Sequence, residues 1–299
     1  MACNLSRLRP EQRAFALPEP VMPHCPRACI IGHPVAHSRS PLLHGHWLAT
    51  LRIGGVYERR DVAPEALGDF VRNLRAHGFV GCNVTIPHKE AVLDLVDEVT
   101  PRARAIGAAN TLWYEDDVLW ADNTDVIGWL ADLDDQAPGW DVAPDTALVL
   151  GAGGAARAIL YGLRERDFRK ILITNRSPER AVLLADWLGD VAHVLPWEER
   201  HAAVSQAGLI VNTTALGMAH QPPLELEMAG LSRDAVVSDI VYIPLETQLL
   251  RDAQARGARI VNGLGMLLHQ AAPGFEKWFG CKPAVTPALR RLVENDISR

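Results

Sequence analysis

The chain has 299 residues, of which 48% are hydrophobic, with a formal net charge of −6 and a pI near 6.0. That length suits two domains with true cores, and the acidic balance without a basic run argues against a nucleic-acid surface. No apolar stretch reaches membrane-spanning length, and the five cysteines (Cys3, Cys25, Cys29, Cys82, Cys281) form no paired framework and no zinc-site spacing.

Residues 1–27 hold Arg7, Arg9 and Arg13 and five prolines but no apolar signal-peptide core. They read as a flexible tail in which Met22 is an alternative start. Free thiols suit a reducing cytoplasm, which is the expected location. A first strand is expected at Ala28–Ile31, ending in Gly32. A helix follows Pro41, with Leu42, Leu43, Trp47 and Leu48 at helical spacing. Val56–Asp61 reads as a second strand and Pro64–His77 as an amphipathic helix. A third strand is placed at Phe79–Thr85, a helix at Glu90–Val99 and a returning strand at Ala109–Tyr114. The alternation predicts a parallel, helix-covered sheet. Asp125–Asp135 is a further helix. Beyond it come strands at Ala147–Leu150, Lys170–Thr174, Leu209–Asn212, Val236–Ile240 and Ile260–Val261. Helices are expected over Leu264–Phe279 and from Pro287.

The run from Ala147 to Arg157 is an apolar strand entering a Gly-x-Gly-x-x-Ala turn and then a helix. Gly151 makes the tight turn, Gly153 lets a pyrophosphate approach the backbone, and Ala156 lets helix and strand pack closely. The free N–H groups opening the helix face phosphates. With the strand Lys170–Thr174 at the expected distance, the unit is βαβ, and Gly151, Ala152, Gly153, Gly154 and Ala155 are candidate dinucleotide contacts. An NAD site carries an acid at the end of that second strand, about 20 residues on. Here Asn175, Arg176 and Ser177 stand there, with Arg180 one turn later. A guanidinium fork suits a 2′-phosphate, so NADP is favoured over NAD. The plainer alternative makes Arg176 and Arg180 solvated charges at a helix start.

Four polar clusters sit near the ends of the earlier strands, where α/β sheets bind ligands. Ser38 and Ser40 flank Arg39 before a helix and suit a carboxylate, although Ser40 before Pro41 also fits a simple helix cap. Lys89 closes the run Asn83–Val84–Thr85–Ile86–Pro87–His88–Lys89; by itself it reads as a surface lysine. Gly107–Thr111 is the third cluster. The fourth, Asp122–Asp125, has the look of an N-cap. His33, His37, His44 and His46 cluster in sequence at no metal spacing.

Together these motifs, with Gly263–Leu264–Gly265–Met266–Leu267, make the chain resemble the NADP-dependent shikimate/quinate dehydrogenase family, from about Cys29 to the C-terminus. The resemblance implies an oxidoreductase of aromatic amino-acid biosynthesis that reversibly reduces 3-dehydroshikimate to shikimate with NADPH. It implies Lys89 and Asp125 as the catalytic pair and Ser38 and Ser40 on the substrate carboxylate. Thr85, Asn110 and Gln270 fall to the ring hydroxyls, Tyr242 to the substrate side of the cleft, and Gly263 to the cofactor side. Two positions depart from the pattern: Val126 stands where Gly is usual, and His88 where an aromatic or apolar residue is usual. Val126 is expected to tighten the turn behind Asp125, and His88 to add a titrating neighbour to Lys89.

The resulting expectation is an α/β enzyme with a parallel α/β substrate domain (residues 28–125 and 264–299) and a Rossmann-type NADP domain (126–263). Gly263 and Gly265 are the hinge candidates. A small-molecule substrate is expected, with no metal, nucleic acid or membrane partner, in a monomer or homodimer. An NAD-dependent quinate/shikimate dehydrogenase would favour an acid near Asn175 and Thr at position 40. A catalytically silent ligand-binding protein on the same fold would not need Lys89 and Asp125.

Overall fold

The computed structural model describes residues 25–142 and 145–298. Most of the expected tail, residues 1–24, lies outside the described residues, and Arg27 already belongs to the first strand.

In chain order the first half runs β1 (Arg27–Gly32), α1 (Ser40–Leu51), β2 (Val56–Asp61), α2 (Leu67–Arg72), β3 (Gly81–Val84), β4 (Glu98–Val99), α3 (Pro101–Ile106), β5 (Thr111–Glu115) and β6 (Val118–Asp122). Its six strands are ordered β2-β1-β3-β5-β6-β4. β1 pairs in parallel with β2 and β3. The parallel pattern is then interrupted, because β5 runs antiparallel to both β3 and β6. β5 and β6 form a hairpin whose two turn residues, Asp116 and Asp117, have φ of 49° and 69°. Two successive positive φ values are the signature of a twist-matched two-residue turn. β6 was not anticipated from the sequence.

Two expected helices are shorter or absent. The Pro64–His77 stretch becomes a 3₁₀ turn at Pro64–Ala66 followed by α2, ending at Arg72. The Asn73 side chain donates to the Asp69 carbonyl at 2.9 Å, and such local bonds compete with helix propagation. The Glu90–Val99 stretch becomes a 3₁₀ turn at Ala91–Leu95 and the short strand β4. Asp97 there accepts the Leu119 N–H at 2.8 Å and turns the chain toward β6.

The second half runs α4 (Asp125–Gln136), β7 (Thr146–Leu150), α5 (Gly154–Glu165), β8 (Lys170–Thr174), α6 (Pro178–Leu188), β9 (Ala192–Leu195), α7 (Arg200–Ala203), β10 (Leu209–Asn212), β11 (Val236–Asp239), α8 (Gln248–Ala255), β12 (Arg259–Asn262), α9 (Gly263–Phe279) and α10 (Pro287–Ile297). The second sheet is ordered β12-β11-β10-β7-β8-β9, with every pair parallel. This is the doubly wound dinucleotide-binding order, and its switch point lies between β7 and β10.

A parallel sheet covered on both faces needs strands that are apolar on both. β7 shows how this is met: Ala147 and Val149 join the core under α4, α5 and α6, while Leu148 and Leu150 join the core under α8. In the first sheet, Ile31, Cys82 and Leu112 pack toward α2. α9 and α10 return to the other face, where Leu264, Leu268, Phe275, Leu289 and Val293 meet Leu43 and Trp47 of α1. Among the described residues no helix is long and apolar enough to cross a membrane.

Candidate active site

The carboxyl ends of β1 and β3, the start of α4, the loop after β11 and the first turns of α9 enclose a cavity of about 510 Å³. Ser38, Ser40, Thr85, Lys89, Asn110, Asp125, Tyr242 and Gln270 all line it, with Ala155 and Gly263 at the side of the second sheet. Every expected substrate-side residue is therefore brought to one place.

The loop from His33 to Ser40 is held from outside. Arg59 donates two bonds to the Ser38 carbonyl, at 3.0 and 2.6 Å. Arg39 donates to Asp296 of α10 at 2.9 Å. The Ser38 hydroxyl donates to the Ser40 hydroxyl at 3.2 Å. Ser40 does not cap α1: the cap position is Arg39, whose side chain makes no capping bond, and Ser40 is the first helical residue. Both serines line the cavity.

Lys89 follows a tight turn after β3, and its carbonyl accepts the Ala109 N–H at 2.8 Å. No α-helix directly follows Lys89, contrary to the one expected from Glu90. Its ammonium donates to Asp125 Oδ2 at 2.7 Å. Asp125 opens α4 but is not its cap; that position is Thr124. Asn110 Nδ2 donates both to Asp125 Oδ1 at 2.9 Å and to Gln270 Oε1 at 3.1 Å. Thr124 locks the same corner, its N–H donating to Asn110 Oδ1 at 2.7 Å and its hydroxyl to the Gln270 carbonyl at 2.8 Å. Burial pushes the Tyr242 hydroxyl above its ordinary range, opposed by the nearby Arg39 charge.

Several residues have roles the sequence did not reveal. Asn83, buried in β3, accepts the Tyr57 hydroxyl at 2.6 Å and donates to the Asn110 carbonyl at 3.1 Å. Met218 and Met266 add apolar walls. Asp239 at the end of β11 accepts Thr247 at 2.7 Å and Asn212 at 2.9 Å, and burial pushes its carboxyl up to about 6. The strand ends flanking Asp239 and Asn212 were visible as polar tails on apolar runs; their mutual pairing was not.

Other expectations change. His88 does not face Lys89: its ring is buried and bonds the Val62 carbonyl at 2.7 Å. Val126 packs with Ile106, Ala108 and Ala158 between the two halves. The histidines clustered in sequence are separated in space, with His33 on Asp61 at 2.6 Å and His44 buried among Tyr57, Trp47, Phe275 and Trp278. Gly263 and Gly265 are sites of close approach rather than of unusual backbone angles. A Cβ at Gly263 would lie 2.0 Å from the Ile240 carbonyl oxygen, and one at Gly265 would lie 1.6 Å from Asp132 Oδ1.

On the second sheet, Gly151 turns the chain after β7 with φ of +110°, and a Cβ there would meet Thr213 Oγ1 at 2.5 Å. Space is open where a Cβ would stand on Gly153 and Gly154. α5 closes its first bond from Arg157 to the Gly153 carbonyl, so the N–H groups of Gly154, Ala155 and Ala156 open the helix ahead of it. Ala152 stands in the same turn. After β8, Asn175 Nδ2 donates to the Ser177 carbonyl at 2.9 Å, while Arg176 and Arg180 are exposed on the same side of α6 as its N-terminus. An uncluttered glycine turn beside a neutral and cationic donor set fits a phosphorylated dinucleotide.

Comparison with known proteins agrees with this arrangement. The model for the shikimate dehydrogenase substrate binding domain matches residues 30–112, that for shikimate/quinate 5-dehydrogenase matches 135–235, and that for the shikimate 5′-dehydrogenase C-terminal domain matches 263–293. The chain is 57% identical over 271 residues to the shikimate dehydrogenase (NADP+) of Rhodopseudomonas palustris strain HaA2, covering 91% of this chain and 96% of that one. It is 56% identical to the enzyme of the same name from Methylocella silvestris, covering 92% and 98%. A crystal structure of shikimate 5-dehydrogenase from Thermus thermophilus, in complex with NADP(H) and shikimate, superposes with a TM-score of 0.78 at 36% identity, covering 91% of this chain and 99% of that one. With these matches spread over both sheets and the returning helices, the chain belongs to the shikimate dehydrogenase family.

Proposed function

We propose that this chain is an NADP-dependent shikimate dehydrogenase that reversibly reduces 3-dehydroshikimate to shikimate, with Lys89 and Asp125 as its catalytic pair. The observation that carries the reading is the 2.7 Å bond between Lys89 Nζ and Asp125 Oδ2, inside a cavity also lined by Ser38, Ser40, Asn110 and Gln270. The first sheet with α9 and α10 is assigned to the substrate, and the second sheet to the cofactor. The enzyme works on a small molecule in the cytoplasm, where the thiols of Cys25, Cys29, Cys82 and Cys281 stay reduced, as a monomer or homodimer.

The cofactor is held by Gly151, Ala152, Gly153, Gly154 and Ala155 at its pyrophosphate, by Asn175, Arg176, Ser177 and Arg180 at its 2′-phosphate, and beside Gly263 at its reactive end. NADPH supplies a hydride and no proton, so the proton for the carbonyl oxygen must come from the chain. Lys89 gives that proton in reduction and takes it back in oxidation. Asp125 holds the ammonium in place and accepts a hydrogen bond from the neighbouring ring hydroxyl. Asn110, tied at once to Asp125 and Gln270, fixes where that hydroxyl sits, and Thr85 and Tyr242 close the ring site. Ser38 and Ser40 donate to the carboxylate; their loop is fixed by Arg59 and Arg39, so little ordering cost falls on binding.

The test is absorbance at the nicotinamide band with shikimate or quinate and NADP or NAD. Shikimate with NADP should react fastest. Reduction of NAD by quinate in preference, or none with any pair, would refute the assignment.

A further inference from the structure

Asp132 stands about two turns along α4 from Asp125 and is 1% exposed. It does not touch the active-site cavity, yet it grips the helix that lines it. Its Oδ2 accepts the Met266 N–H at 3.1 Å, and its Oδ1 accepts Arg290 Nη2 of α10 at 3.1 Å. The Met266 N–H lies in the first turn of α9, and an anion at that end matches the helix dipole. The fit is close on both sides. Gly265 has no room for a side chain against the Asp132 carboxylate, and a Cβ on Gly128 of α4 would lie 2.6 Å from the Met266 carbonyl oxygen.

What this grip positions is the cavity wall. α9 carries Gly263, Met266, Leu267 and Gln270 into the site, and Gln270 meets Asn110, which also holds Asp125. α4 therefore fixes α9 at two depths, through the Asn110 bridge at Asp125 and through the carboxylate of Asp132. α10 closes the arrangement from behind: Arg290 holds Asp132, and Asp296 accepts Arg39 of the serine loop. A buried ion pair is a poor source of stability, since apolar residues of the same volume often do as well. Its value lies in fixing one geometry.

We propose that Asp132 and Arg290 form a buried positioning pair that sets the first turns of α9, and with them Met266 and Gln270, against Asp125 for substrate binding. This rests on the reading of the cavity as the dehydrogenase site. Burial pushes the Asp132 carboxyl up to about 6, against the pull of Arg290 and the Met266 N–H. The charged groups around it are Arg290, Asp135 on the next turn of α4, and His269 of α9, whose Nε2 lies 3.0 Å from Asp135 Oδ2. Above that pH the ionised carboxylate serves both donors. Below it the neutral acid holds both more weakly, and shikimate affinity falls.

Steady-state kinetics and calorimetric shikimate affinity, measured between pH 5.5 and 8, test this with Asp132→Asn and Arg290→Gln. Asp132→Asn should raise the shikimate KM at pH 8 by about tenfold, the scale of a lost charge-assisted bond, with kcat within about threefold. Its KM should then vary little with pH, whereas that of the wild type rises toward pH 5.5. Arg290→Gln removes the cation that lowers the Asp132 titration, so the rise should begin at higher pH. A folded Asp132→Asn protein with wild-type KM and wild-type pH dependence overturns the proposal. If Asp132→Asn does not fold, an unshifted rise in Arg290→Gln overturns it. Wild-type turnover in the same assay reports separately on the dehydrogenase reading, and calorimetry carries the comparison if turnover is absent.

Discussion

Lys89 and Asp125 lie 36 positions apart in the chain and meet at 2.7 Å, one from the turn after β3 and the other from the first residue of α4. Asp125 is further held by Asn110, so its carboxylate has one oxygen for the lysine and one for the amide. Asp125→Asn preserves the shape but gives Lys89 no anion to rest against. It should lose most activity, on the order of 10²-fold or more in kcat, with the fold retained by circular dichroism. Activity within a few-fold of wild type would remove Asp125 from the catalytic pair.

Arg176 is exposed beside the start of α6. As the partner of a 2′-phosphate it contributes about 1.5–3 kcal/mol. Arg176→Ala should weaken NADP use by roughly one to two orders of magnitude and leave NAD use nearly unchanged. Equal losses with both cofactors would make it a general surface charge.

The hydroxyls of Ser38 and Ser40 sit together at 3.2 Å; Ser38 Oγ also accepts the Ser40 N–H at the start of α1, whereas the Ser40 hydroxyl caps nothing. Ser40→Ala should therefore raise the shikimate KM about tenfold or more, the effect of a lost hydrogen bond to a charged group. Its melting temperature should move little, because no cap is removed. A KM for NADP that rises in parallel would argue that the loop, rather than the carboxylate contact, had changed.

His44 is fully buried and stacked on Tyr57 with ring centroids 3.8 Å apart, and neither ring nitrogen has a hydrogen-bond partner among the described residues. Burial lowers its pKa to about 3. A histidine depressed in this way contributes stability that is present above its unfolded pKa of about 6.5 and lost as pH falls toward the folded value. Asp132 and Asp239, both raised to about 6, act oppositely: their contribution is present below the unfolded carboxylate pKa and lost as pH rises through about 6. Comparing His44→Phe with wild type cancels the two acids. The drop in unfolding free energy from pH 7 to pH 5 should be smaller in His44→Phe by roughly 2 kcal/mol. Identical pH slopes in urea melts would show that His44 is not the titrating group.

Much of the second sheet was legible because β8, β10 and β11 are short apolar runs with a polar end, whereas the half-exposed β9 was not anticipated. β8 and β10 fall where the sequence put them. β6 was missed because the Asp116–Asp117 turn does not resemble the commoner Asn-Gly form, although the stacking of Trp113 on Trp120 across the hairpin is clear once it is folded. The polar clusters were visible as motifs, but their convergence was not. Asn110 and Gln270 are 160 positions apart, and the packing of α9 against β5 and α4 brings them together. The α4–α9 packing explains Gly265, whose small size admits Asp132, and the approach of the loop after β11 explains Gly263, which admits Ile240. Sequence alone suggested backbone freedom there. His88 looked like a neighbour of Lys89 because it is adjacent in the chain; the turn sends the two side chains in different directions.

The most direct test of the account is Lys89→Ala, assayed for shikimate oxidation with NADP alongside calorimetric shikimate binding. Loss of a positioned acid–base group should lower kcat by about 10²–10⁴-fold, while shikimate affinity changes by no more than a few-fold. A Lys89→Ala protein that binds shikimate and turns it over at a near wild-type rate would contradict the assignment of Lys89 as the proton donor.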